Sequence, residues 1–87
     1  MTRLRLRSDD LAWRTVDDEI VAVDLRTSTY LNTNGSGAVL WRALADGATD
    51  EELVALLVEE FGVDADRAHA DVDRFVDAVR SRGLLGS

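Results

Sequence analysis

The chain has 87 residues, 46% of them apolar, which is room for one modest core and too apolar for a disordered segment. It has no cysteine and a single histidine, which removes disulfides, thiolate metal sites and a cysteine nucleophile and leaves no ligand set for structural zinc. The formal net charge is −7, with every basic residue an arginine and, from Leu31 onward, 11 acids against five arginines, a balance that repels a polyanion and attracts a cationic peptide.

No apolar run approaches the roughly 20 residues of a membrane span. The opening Met-Thr-Arg-Leu-Arg-Leu-Arg lacks the apolar stretch of a signal peptide, so a soluble cytoplasmic domain spanning 1–87 is expected. Thr2 to Asp10 alternates Arg with Leu and reads as a loose arm, with a short edge strand as the other possibility. Leu11 to Val16 is a first strand, Asp17-Asp18 a turn, and Glu19 to Leu25 a second strand. In that second strand Val21, Val23 and Leu25 share one face and Ile20, Ala22 and Asp24 the other. After a turn at Arg26 to Ser28, Thr29 to Thr33 is a third strand, and short connections make the three an antiparallel meander.

Helices follow. Asn34 can cap the first, and Gly35 to Gly37 let the chain turn sharply into it. It runs from Ser36 to Ala45 and stops at Asp46-Gly47. Thr49-Asp50-Glu51-Glu52 is a capping box, after which Leu53, Leu56, Leu57 and Phe61 fall at helical spacing up to Gly62. The third helix starts at Asp64 as cap and reaches Arg82, with Ala68, Val72, Phe75, Val76 and Val79 as its buried stripe and Gly83 as its stop. Leu84-Leu85 folds back onto the core. The fold class is α+β: a three-stranded antiparallel sheet followed by three helices, winged helix-turn-helix-like, with the wing at the N-terminus.

No catalytic constellation is visible. His69 stands between Ala68 and Ala70 as a solvated residue, and the acidic pairs Asp17-Asp18, Glu51-Glu52 and Glu59-Glu60 fit turns, capping and solubility. The glycines before the first helix are not followed by a P-loop lysine. A helix-turn-helix invites a DNA-binding reading. Here, though, the third helix would lead with Asp64 and Asp66, then Asp71 and Asp73, against phosphates. What remains is an interaction surface. Thr29 to Thr33 is the last strand of the meander, so it is an edge, and it lacks the Pro or Lys that guards exposed edges. Such an edge accepts an extended peptide as one more strand. The plainer reading is that the third helix covers it, and a cleft between the two satisfies both.

The ordered set Asp24-Leu25-Arg26-Thr27, Tyr30-Leu31, Asn34, Gly37, Leu40-Trp41, Asp46-Gly47-Ala48-Thr49, Glu52-Leu53, Asp71-Val72, Phe75 and Gly83-Leu84-Leu85 resembles the PqqD-like family of peptide-binding domains, the RiPP recognition elements. It is most similar to the stand-alone members of lasso-peptide pathways, through Tyr30-Leu31, Asn34, Gly37 and Trp41, and it extends from about Leu11 to Leu85 without gaps. Thr33 departs from it, standing where a larger aliphatic side chain is expected. The resemblance implies three strands plus three helices and no enzymatic activity or cofactor. It implies that the leader of a precursor peptide lies as a fourth strand along Thr29 to Thr33 against the third helix. Delivery to a transglutaminase-like leader peptidase and then a macrolactam cyclase follows from it. The related alternative is a carrier of the pyrroloquinoline quinone precursor peptide that partners a radical SAM enzyme, and a DNA-binding winged helix regulator ranks third.

The same resemblance distributes roles. Backbone groups of Thr29, Leu31 and Thr33, or of Tyr30 and Asn32 in the other register, pair with the leader, because only one alternating set points outward. Leu25, Leu31, Val72, Phe75 and Val76 form apolar pockets, with an ordinary core role equally open for Val72 and Val76. Asp71, Arg74, Ala78 and Arg82 rim the pockets. The sheet face around Arg14, Ile20 and Ala22 is expected to meet the peptidase.

Overall fold

The computed structural model of the chain describes residues 3–86. Its elements run β1 (Arg5–Leu6), β2 (Leu11–Val16), β3 (Glu19–Asp24), β4 (Thr29–Asn34), α1 (Ser36–Asp46), α2 (Asp50–Phe61), α3 (Ala65–Ser81) and β5 (Leu85–Gly86). The expected meander is present as an antiparallel sheet in the order β2-β3-β4, with three helices after it. Its register pairs Trp13 with Ala22 and Ala22 with Leu31, so β3 is central and β4 an edge.

Alternation sorts the two faces of the sheet. Ile20, Ala22 and Asp24 are buried, and Leu11 is buried beside them. Trp13 shares this inner face and meets Trp41 of α1 edge-on, ring centroids 6.2 Å apart at 78°. The outer face carries Arg14, Val16, Val21 and Tyr30, all exposed. This corrects the expectation for a partner face around Arg14, Ile20 and Ala22: Arg14 points outward, while Ile20 and Ala22 point into the core.

The helices close over that inner face with one stripe each. α1 contributes Ala38, Leu40, Trp41 and Leu44, and α3 contributes Ala68, Val72, Val76 and Val79. In α2 the buried set is Leu53, Val54 and Leu57. Phe61, expected in that stripe, shares the face of Leu57 and Val54 but is 46% exposed at the end of the helix, in the last turn before Gly62. The capping box is complete: Thr49 Oγ1 accepts from the Glu52 N–H at 3.2 Å, and the Glu52 carboxylate accepts from the Thr49 N–H at 2.8 Å. The Thr49 N–H holds the Glu52 carboxyl below its ordinary value against partial burial, and Arg3 at 3.2 Å adds to this. Asp64 caps α3 by accepting from the Arg67 N–H at 2.8 Å. Asn34 does not cap α1. It is the last residue of β4, and Gly35, at φ +57°, makes the turn into the helix without a side-chain cap.

The N-terminal arm is a strand instead. β1 pairs antiparallel with β5, Leu4 and Ala48 exchange two 2.8 Å hydrogen bonds, and Leu6 is buried. The Arg/Leu alternation has the period of a strand, with Leu4 and Leu6 inward, but its partners lie at the far end of the chain and beside α1, where no local pattern points to them. Thr2, counted with the arm, lies outside the described residues.

Arg7 continues from β1 into a latch. Its guanidinium donates to the buried Asp24 carboxylate at 2.8 Å, to the Asp9 carbonyl at 2.7 Å and to the Gly83 carbonyl at 2.5 Å. Arg26 donates its backbone N–H to Asp24 at 3.1 Å and its guanidinium to Gly83 at 3.1 Å. Burial pushes the Asp24 carboxyl up; the Arg26 N–H, then Arg7, outweigh it, and the net direction is down. A depressed folded pKa stabilises above the unfolded value of 3.8 and is lost as pH falls through the folded one. Asp24→Asn should therefore lower the melting temperature at pH 7 and remove part of the stability slope below about pH 4. Thermal melts of both proteins from pH 2 to 7 measure this, and parallel curves would mean that Asp24 is not held as the anion.

Candidate functional site

The free edge of β4 faces α3 across a groove. Its middle is a cleft of about 200 Å³, lined by Leu31, Asn32 and Thr33 on one side and by Phe75, Ala78, Val79 and Arg82 on the other. The core residues Ile20, Ala22, Trp41 and Leu84 form its floor. Trp41 keeps a buried indole N–H with no partner among the described residues. Toward the start of β4 the groove continues into about 170 Å³ between Asp24, Thr27, Thr29, Arg82 and Leu84. Toward its end it opens into about 390 Å³ between Thr33, Asn34, Gly37, Asp71, Arg74 and Phe75. Neighbouring clefts share Leu31, Arg82 and Leu84 on one side and Thr33, Phe75 and Ala78 on the other, so the three make one channel along the whole strand.

The physical origin of the channel is local. β4 is tied to β3 on one side and among the described residues has no strand on the other, so its outer backbone groups are unclaimed by the sheet. α1 packs against β4 at Gly37, where a Cβ would run into the Thr33 hydroxyl and come within 3.7 Å of Phe75. That close approach leaves Thr33, smaller than the aliphatic residue expected there, as the wall between the middle and the far cleft.

Of the residues singled out from sequence, the structure brings nine to this channel: Thr29, Leu31, Asn32, Thr33, Asp71, Arg74, Phe75, Ala78 and Arg82. Four it does not. Leu25 is 58% exposed in the β3–β4 turn, because β3 ends one residue earlier than the pattern suggests. Tyr30 is 80% exposed on the outer sheet face, one residue out of phase with Leu31. Val72 and Val76 are buried in the core stripe of α3, which leaves the flank with Asp71, Arg74, Phe75 and Ala78 to the groove. Sequence reasoning missed the floor, above all Trp41 and Leu84, and the Asp24 and Thr27 end. An amphipathic pattern marks core and surface but not a core residue that also lines a cleft.

Phe75 is half-buried. Phe75→Ala should cost about 2 kcal/mol of stability, less than the 3–5 kcal/mol of a fully buried phenylalanine. It should weaken ligand binding more than it weakens the fold, and denaturant melts beside a binding titration separate the two effects.

Chemically, the channel offers backbone donors and acceptors along one wall, apolar surface beneath, and charges at its ends. Asp71 and Arg74 form an ion pair on the α3 rim. Among the described residues no group of His, Cys, Asp or Glu is placed to hold a metal ion, and no helix is long and apolar enough to cross a membrane. A surface of this kind can accept an extended chain by strand pairing.

Three comparisons bear on it. No curated protein sequence matches the chain. The structure of TbiB1 in complex with the TbiA(beta) leader peptide is similar over 95% of each chain, with a TM-score of 0.87 and 30% identity. A lasso peptide synthetase B1 complexed with its leader peptide shares the fold, at a TM-score of 0.83 and 24% identity over 97% of this chain and 98% of that one. The family model for coenzyme PQQ synthesis protein D (PqqD) matches residues 19–85, from the first residue of β3 into β5, which takes in β4, α3 and the channel between them. On that match the chain belongs to the PqqD family.

Proposed function

We propose that this chain is a RiPP recognition element of lasso-peptide biosynthesis. It takes the leader of a ribosomally made precursor peptide as a fourth strand beside β4, under α3, and delivers it to a leader peptidase and then a macrolactam cyclase. The observation that carries this reading is the continuous channel along the free β4 edge. The relative TbiB1, bound to a leader peptide, supports it at 30% identity. In this reading the chain performs no chemistry of its own. It works in the cytoplasm, where precursor peptides are made, and its outer sheet face, with Arg14, Val21 and Tyr30, is left for the peptidase because the channel is occupied.

Strand addition is tested by proline. A proline in β4 removes one N–H, and only alternate N–H groups point away from β3. One of Leu31→Pro and Asn32→Pro should lower leader affinity about tenfold or more, while the other loses a hydrogen bond to β3 and shows its effect mainly as instability. Fluorescence polarisation with a labelled leader, alongside circular dichroism, reads both. Full affinity in both folded variants would place the peptide elsewhere.

The family model's description as a coenzyme PQQ synthesis protein favours a second reading, a carrier of the pyrroloquinoline quinone precursor peptide. The same polarisation assay decides between them when each precursor is offered in turn.

A further inference from the structure

The channel is not electrically uniform. Its Asp71 end is balanced, since Arg74 pairs with Asp71. At its Thr29 end Arg82 borders both the middle and the end cleft. The ion pairs among the described residues engage Arg3, Arg7, Arg26, Arg74 and Arg80, and none of them engages Arg82. The one carboxylate in the end cleft, Asp24, is already held by Arg7 at 2.8 Å and by the Arg26 N–H at 3.1 Å, with the Arg26 guanidinium 3.9 Å away. Arg7 and Arg26 therefore neutralise the one anion of the end cleft and leave the Arg82 charge there unbalanced, in a chain of net charge −7. Thr27 and Thr29 share a 2.7 Å hydrogen bond at the same rim. Two hydroxyls joined by one such bond leave one proton free to donate.

We infer that this end of the channel takes a carboxylate side chain, Asp or Glu, from the bound peptide, with Arg82 as its donor and the Thr27–Thr29 pair beside it. The inference rests on the channel being a peptide site. A guanidinium presents a forked donor pair that fits a carboxylate, and such charge-assisted bonds are about twice as strong as neutral ones. Net charge does not oppose it, because at physiological salt fields are screened over about 8 Å and the nearest charges decide the fit. The acidic residue thus sets which peptide is accepted and in which register, while the apolar floor supplies general affinity.

The test is a selection of a displayed random dodecapeptide library on the wild-type protein and on Arg82→Glu. Arg82 is exposed, so the variant keeps the fold, which circular dichroism verifies. Wild-type binders should be enriched in Asp or Glu at one position relative to their apolar anchors, and Arg82→Glu binders in Lys or Arg at that position. The best wild-type peptide, synthesised, should bind Arg82→Glu about tenfold more weakly or worse, and its Glu→Gln or Asp→Asn analogue should narrow that difference. The same residue profile from both proteins would overturn the inference and leave the channel standing. No enrichment on wild type would overturn both.

Discussion

Ala78→Arg should lower affinity for a leader peptide by at least about 100-fold, a loss of some 2.7 kcal/mol, while the melting temperature stays near that of wild type. Ala78 is exposed, and it lines both the middle and the far cleft at the centre of the channel. An arginine there occupies the space of a fourth strand and sets a charge over the apolar floor of Ile20, Trp41 and Leu84. No core contact is lost, because the α3 stripe that packs inward is Ala68, Val72, Val76 and Val79. Polarisation titrations with a labelled leader decide it, and intact affinity would remove the channel from consideration.

The second large effect concerns rate. Purified peptidase alone should cleave the precursor slowly, and adding this chain should raise the rate on the order of 100-fold or more at micromolar concentrations. A leader held on the channel is presented whenever the chain contacts the peptidase, so that capture becomes effectively intramolecular. Ala78→Arg should remove most of the gain, which separates delivery of a bound leader from a direct effect on the peptidase. Time courses of precursor cleavage with wild type, with the variant and without either measure this. Equal rates in all three would refute delivery, and cleavage by this chain alone would refute a purely binding role.

What was legible in the sequence was local. The Thr49 and Glu52 capping box, the Asp64 cap and the alternation in β3 all act within a few residues, and each stands where the pattern placed it. Features made by distant partners were not. β1 looks like a loose arm until β5 is beside it, and nothing near Asp24 announces that Arg7 will bury against it. The turn Asp24 to Thr27, which carried part of the family resemblance, is the anchored corner of that latch. The site was half legible for the same reason. Alternation separates Tyr30 from Leu31 but does not say which faces the core. The α3 stripe merges Val72 with Phe75 until the tilt of the helix divides core from channel. Leu84 joins the floor only because β5 folds back.

That pairing of β1 with β5 has a consequence for how the protein is made. Arg7 and Gly83, joined by a hydrogen bond, are 76 positions apart. Ribosomes add about 5–20 residues per second, so the meander is exposed for on the order of seconds before α3 and β5 exist. During that interval the β4 edge is open to any nascent chain nearby, the template from which intermolecular aggregates grow. Arg82 and Leu84 are made well after the meander, so a chain that stops short of them has no finished channel and cannot sequester a leader from completed copies. Competence to bind is therefore acquired only in that closing event, although the β4 edge forms early and stays free throughout.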